Sequence, residues 1–62
     1  MTPHQFVLRA RLRLAAAELT TTDAKVIDVA LTSGFGDLSN FNHAFRHEFG
    51  ITPSAYRSHV RP

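Results

Sequence analysis

Three observations predict an all-α fold, a small helical bundle. Apolar residues recur at helical spacing in four separate stretches of the 62-residue chain. Strand-type alternation and the Asn-Gly or Asp-Gly pairs of tight hairpins are both missing from the sequence. The helical stretches are bracketed by residues that cap or stop helices, with Thr, Asp and Pro before them and Gly or Thr after.

The first helix is predicted to start at Thr2-Pro3-His4-Gln5, where Thr2 caps, Pro3 suits the first helical position and Gln5 completes a capping box. Leu8, Leu12, Ala15 and Leu19 then form one stripe, Ala15-Ala16-Ala17 adds propensity, and the helix ends near Leu19. Thr20-Thr21-Thr22-Asp23 reads as a polar break. A short helix follows from Ala24 to Thr32, with Val26, Ile27, Ala30 and Leu31 expected on its apolar side. Ser33-Gly34-Phe35-Gly36 stops it, Gly34 being free to adopt the left-handed conformation. Asp37 caps a third helix that runs to Phe49 and is ended by Gly50. Thr52-Pro53 opens a last helix through Tyr56 and Arg57.

Composition sets bounds on function. A chain of 62 residues holds one small domain or a piece of a larger one, and 44% hydrophobic residues place it in the globular class. It has no cysteine, which removes disulfides, thiolate metal sites and a cysteine nucleophile. No apolar run approaches the roughly 18 residues of a membrane span, and no secretory pattern precedes the arginines at 9, 11 and 13. These features predict a cytoplasmic domain with no membrane partner. The net charge of +2 permits a nucleic-acid partner without requiring one.

Residues 24–49 form helix, glycine-containing turn, helix, the helix-turn-helix layout whose second helix enters the DNA major groove. At about 100° per residue, Phe41, Phe45, Phe49 and Leu38 gather on one side of the third helix. Ser39, Asn40, His43, Arg46 and His47 lie opposite, with Asn42 at the margin and Glu48 on the inner side near Ala44. Ser, Asn, His and Arg supply donors and acceptors for base edges and phosphates, and no acidic residue shares their face. A polar outer face is also what any surface helix shows, so a helical protein-interaction module, contacting RNA polymerase or a partner regulator, is the rival reading.

Other constellations point to structure. Phe35, Phe41, Phe45 and Phe49 are one-sided, as core residues are, although such rings also stack on single-stranded nucleic acid. His43 and His47 have a zinc-compatible i, i+4 spacing, but Ala44 stands where a zinc protease carries Glu, so no metal is expected. No nucleophile elbow or phosphate loop is present, so neither catalysis nor a cofactor is expected. Thr22 and Lys25, near the start of the motif's first helix, and Arg57 and Arg61 near the C-terminus are candidates for phosphate contact. Three or four basic residues on DNA predict a salt slope of about −3.

The sequence also repeats itself. Thr2-Pro3-x-x-Phe6 recurs as Thr52-Pro53-x-x-Tyr56, an offset of 50 residues, as if the chain began where an earlier unit ended. Val26-x-x-Val29-Ala30-x-x-x-Gly34-Phe35-x-Asp37-x-Ser39-x-Phe41-x-x-x-Phe45-Arg46-x-x-x-Gly50-x-Thr52-Pro53-x-x-Tyr56-Arg57 closely resembles the second helix-turn-helix of AraC/XylS-type transcriptional regulators. Arg11-Leu12-x-x-Ala15-x-x-x-Leu19 looks like that family's linker helix. The resemblance implies a homeodomain-like helix-turn-helix at 21–62 preceded by a linker helix at 2–20, a fragment of a tandem domain that binds double-stranded promoter DNA. It implies base-reading positions at Leu38, Ser39, Asn42 and His43, with Asn40 near the edge, and a phosphate contact at Arg46. It also implies that Arg11 bridges helices. His43 and Glu18 depart from the family pattern, which often has arginine and an apolar residue there; His43 would make DNA binding pH-sensitive. Without an upstream unit, Phe6, Val7 and Leu8 are predicted to fray or to associate with a second copy.

Overall fold

The computed structural model describes residues 2–60. It contains four helices: α1 Pro3–Thr21, α2 Val26–Thr32, α3 Leu38–Phe49 and α4 Pro53–Val60. Helix α1 lies against each of the other three, α3 packs on α2 and α4, and one core results. Leu12, Ala15, Ala16 and Leu19 of α1 meet Val29 and Ala30 of α2 and Phe41 and Phe45 of α3, all fully or almost fully buried. The second half of α1 is thus part of the helix-turn-helix core, and the helix ends one residue past the expected linker boundary at 20.

The start of α1 follows from its first four residues. Thr2 Oγ1 accepts from the Gln5 amide at 3.2 Å, and Gln5 Oε1 accepts from the Thr2 amide at 3.1 Å, the reciprocal capping box. This first turn is formed and capped, and Phe6 and Val7 stay exposed. The helix outruns Leu19 because threonine hydroxyls take up its last carbonyls. Thr20 and Thr21 donate to Ala17 O and Thr22 donates to Glu18 O, at 2.8–2.9 Å.

Helix α2 starts two residues later than expected, with Lys25 as its N-cap. Ala24 is held in the loop, its amide bonded to Thr22 Oγ1 and its carbonyl to Arg57. The apolar face of α2 also differs: Val29 and Ala30 are buried, whereas Ile27 and Leu31 are 37% and 53% exposed. The helix docks through the 26/29/30 stripe, which turns the neighbouring 27/31 stripe outward. Glu18, in place of an apolar residue, accepts a hydrogen bond from Thr32 Oγ1 at 3.3 Å and so still joins α1 to α2.

The turn that sets α3 against α2 is closed by two backbone bonds. Gly34 N–H donates to Leu31 O and Phe35 N–H to Ala30 O, the Schellman pattern, with Gly34 at φ +92°. The Arg11 guanidinium lies over Gly34, 3.4 Å from where a Cβ would stand, so Arg11 bridges α1 to this turn. Asp37 then caps α3 by accepting from the Asn40 amide at 2.7 Å. Gly50, at φ +83°, ends α3, and Thr52 Oγ1 accepts from the Ala55 amide to start α4.

Candidate nucleic-acid interface

An aromatic chain fixes the inner side of α3. Phe41 meets Phe35 edge-on at 5.2 Å and Phe45 at 5.6 Å, and Tyr56 of α4 lies 5.4 Å from Phe45 and 5.5 Å from Phe49. These rings are core, and Phe41 and Phe45 are wholly buried. With its inner side committed, α3 has one orientation, and the opposite face is open. Ser39, Asn40, His43, Arg46 and His47 are exposed, Asn42 is half-buried, and no described segment of the chain covers this stripe.

Leu38 is the first residue of α3 and 37% exposed, which leaves it able to touch a thymine methyl although its helical angle leans toward the core. Asn40 presents its side chain while its backbone amide is taken by Asp37. Arg46 and His47 occupy the last turn of α3, where the negative end of the helix favours cations. Glu48 forms an ion pair with Arg9 of α1 at 3.2 Å. The acidic group of α3 itself is therefore paired from outside the helix, and α1 is fastened alongside the exposed face.

The expected phosphate contacts fare unequally. Lys25 is exposed at the N-cap of α2, and its side chain makes no capping bond. Thr22 is the C-cap of α1, not a residue of α2, and its hydroxyl bonds Glu18 O and the Ala24 amide. Arg57 is corrected to a structural role. Its Nε donates to Leu19 O at 2.9 Å, and its Nη2 donates to Ala24 O at 2.6 Å and to Thr22 O at 3.5 Å. The guanidinium thereby ties α4 to the end of α1 and to the loop before α2. Arg61 lies outside the described residues.

Two features of this surface escaped the sequence reading. The Arg9–Glu48 pair joins residues on different helices, far apart in the chain, and only their opposite charges hinted at it. His47 was weighed in the sequence only as the zinc-spaced partner of His43, not as a group facing DNA. Among the described residues no helix is long and apolar enough to cross a membrane, and no group of three or more His, Cys, Asp or Glu is placed to hold a metal.

Comparison with known proteins places this arrangement. A family model described as a helix-turn-helix domain matches residues 1–59. The chain is 39% identical over 61 residues to the probable transcriptional regulator LumQ of Photobacterium leiognathi, covering 98% of this chain and 25% of that protein. It is 42% identical over 53 residues to the regulatory protein SoxS of Salmonella typhimurium, covering 86% and 50% respectively. To the transcriptional activator NphR of a Rhodococcus species it is 43% identical over 61 residues, covering 97% and 18%. The chain thus spans between 18% and 50% of the length of these relatives, which are named as regulators and not as enzymes. No solved structure gives a significant match. The match runs through the capped start of α1, the glycine turn and the Thr-Pro start of α4, and by its extent the chain belongs to the AraC/XylS-type helix-turn-helix family of transcriptional regulators.

Proposed function

We propose that this chain is a sequence-specific DNA-binding unit of a transcriptional regulator, with α3 seated in the major groove of promoter DNA. One observation carries the reading: the face of α3 opposite the buried Phe41 and Phe45 is open and bears Ser39, Asn40, His43 and Arg46, while Glu48 is tied back to Arg9. In this reading Leu38, Ser39, Asn40, Asn42 and His43 meet base edges, and Arg46 and Lys25 meet phosphates, with Thr22 a neutral contact beside Lys25. The open face has the chemistry to do so, since Asn pairs with adenine, a serine hydroxyl bonds any base edge and Leu touches thymine. With Arg57 committed to the fold, two fixed cations remain, and the salt slope falls from about −3 to about −2 near neutral pH.

Residues 2–20 then serve as the linker helix and 21–62 as the second unit of a tandem domain. The Thr-Pro-x-x-aromatic repeat and the fraction of its relatives that the chain spans support that assignment. Phe6 and Val7, 67% and 45% exposed, are apolar surface suited to an upstream unit or, in its absence, to a second copy. RNA polymerase is a further partner of the whole protein in this reading, which the name of one relative, a transcriptional activator, supports. A cytoplasmic location follows from the same reading.

Fluorescence anisotropy on promoter DNA over a range of salt tests it. Binding should tighten as salt falls, and Arg46→Ala combined with Asn42→Ala should abolish it, each variant being checked for helicity. Absent or salt-independent binding, alongside tight association with a protein, would establish the interaction module instead.

A further inference from the structure

We infer that His43, Arg46 and His47 together form a phosphate-binding notch at the end of the recognition helix, one that binds DNA more tightly as pH falls. The inference rests on the DNA-binding reading above and adds to it a site residue, His47, and a charge state. The three side chains line one shallow hollow on the outer face of α3, and all three are exposed. The geometry assigns this hollow, whose Arg46 and His47 stand on the last turn of α3, to the sugar-phosphate backbone, and on this inference His43 passes from the base edges to the phosphates. Helix α3 has 12 residues, so it is about 18 Å long, against a major groove about 12 Å wide. A helix that presents its first turn to base edges therefore brings its last turn to the groove's rim, where the phosphates are. The negative end of the helix sits there too, so an approaching phosphate needs cations on that turn to be held.

Arg46 supplies one permanent cation. The two imidazoles supply a conditional pair, because histidine is the side chain that changes charge across the range of about pH 5 to 8. The groups facing them are few. A groove between α1 and α3 adds Gln5 and Arg9 from α1 and Glu48 from α3 itself, and Glu48 is paired with Arg9. Helices α2 and α4 contribute no described residue to either hollow, so Lys25, Asp28, Arg57 and His59 stand outside them. A DNA phosphate in the notch meets one fixed cation when the imidazoles are neutral and three when they are charged. Binding and proton uptake are then linked, with affinity gained as pH falls and lost as it rises.

The test uses the full chain and a labelled mixed-sequence duplex, since phosphate contacts do not depend on sequence. Anisotropy titrations would run at about pH 5.5 and about pH 8, spanning the range in which histidine changes charge, over several salt concentrations. The salt slope should steepen by about 0.9 for each imidazole that engages a phosphate, and affinity should rise about fivefold for each on acidification. His47→Gln should remove about half of this pH-linked gain, and His43→Gln with His47→Gln nearly all of it, although His4 and His59 remain. His47→Lys, a permanent cation, should hold the steeper slope at both pH values. A pH-linked gain that survives the double substitution would overturn the notch, as would a pH-independent slope in a chain that still binds. No salt-dependent binding at either pH would instead overturn the DNA-binding reading, and the notch with it.

Discussion

Removing the Arg57 guanidinium separates two roles that the sequence cannot. Its Nε and Nη2 make two well-formed bonds, 2.9 and 2.6 Å, to Leu19 O and Ala24 O, while the 3.5 Å approach to Thr22 O is at the limit of a hydrogen bond. Leu19 O is near the end of α1, where carbonyls lack helical partners, and a cation there also suits the helix dipole. At about 1.5 kcal/mol for each bond from a charged donor, the lower end of the range because Arg57 is only partly buried, Arg57→Met should destabilise by about 3 kcal/mol. A domain of this size has about 3–9 kcal/mol in all, so the loss takes a third or more of it. In thermal melts followed by circular dichroism the midpoint should fall by about 20 °C. Arg57→Lys keeps the charge but lacks the planar fork that reaches two carbonyls at once, and should recover less than half of the loss. A phosphate contact would behave in the opposite way. The melt would hardly move, the DNA salt slope would drop by about one, and lysine would restore it. That second pattern would refute the clamp.

Phe41→Ala opens a cavity beneath the turn, between Phe35 and Phe45, and should lower unfolding free energy by about 3–5 kcal/mol in urea titration, leaving the chain largely unfolded. A loss under about 1 kcal/mol would mean that the aromatic chain is not the core. Gly34→Ala forces φ +92° on an L-residue and pushes on Arg11, so its melt should show a loss of about 1–2 kcal/mol. Gly36→Ala meets nothing within 4 Å and should shift stability by less than about 1 kcal/mol in the same assay.

What the sequence revealed of the fold was whatever is decided within a few residues. The Thr2/Gln5 box, the Asp37 cap, the left-handed Gly34, the stop at Gly50 and the one-sided phenylalanines of α3 are all local chemistry, and each stands where spacing put it. The inner face of α2 was not local. A seven-residue helix has barely two turns, too few for periodicity to choose between the 26/30 stripe and the 27/31 stripe. The choice falls to the partners: Val29 and Ala30 enter the core with Leu12, Leu19 and Phe41, and Ile27 and Leu31 are turned out. The end of α1 escaped for a related reason, since threonines that read as a break bond back onto the preceding carbonyls and prolong the helix.

The same distinction governs the site. The open stripe of α3 was legible because a helix buried on one side must expose the other, and that needs only the 3.6-residue period. Which charges are available to DNA was not legible, because the fold takes several for itself. Arg9 is engaged by Glu48, Arg11 lies over Gly34, and Arg57 holds the end of α1. Counting basic residues therefore overstates the electrostatic term. The net charge of +2 hides a surface on which Arg46 and Lys25 are the fixed cations that the DNA-binding reading sets against phosphate. A unit with so few should bind weakly alone and gain most from a tethered neighbour, whose effective concentration multiplies affinity without a new contact on α3. If two conditional imidazole charges join Arg46 at the rim of the groove, they would double the charge this helix-turn-helix can bring to DNA, and they would do so only when pH allows.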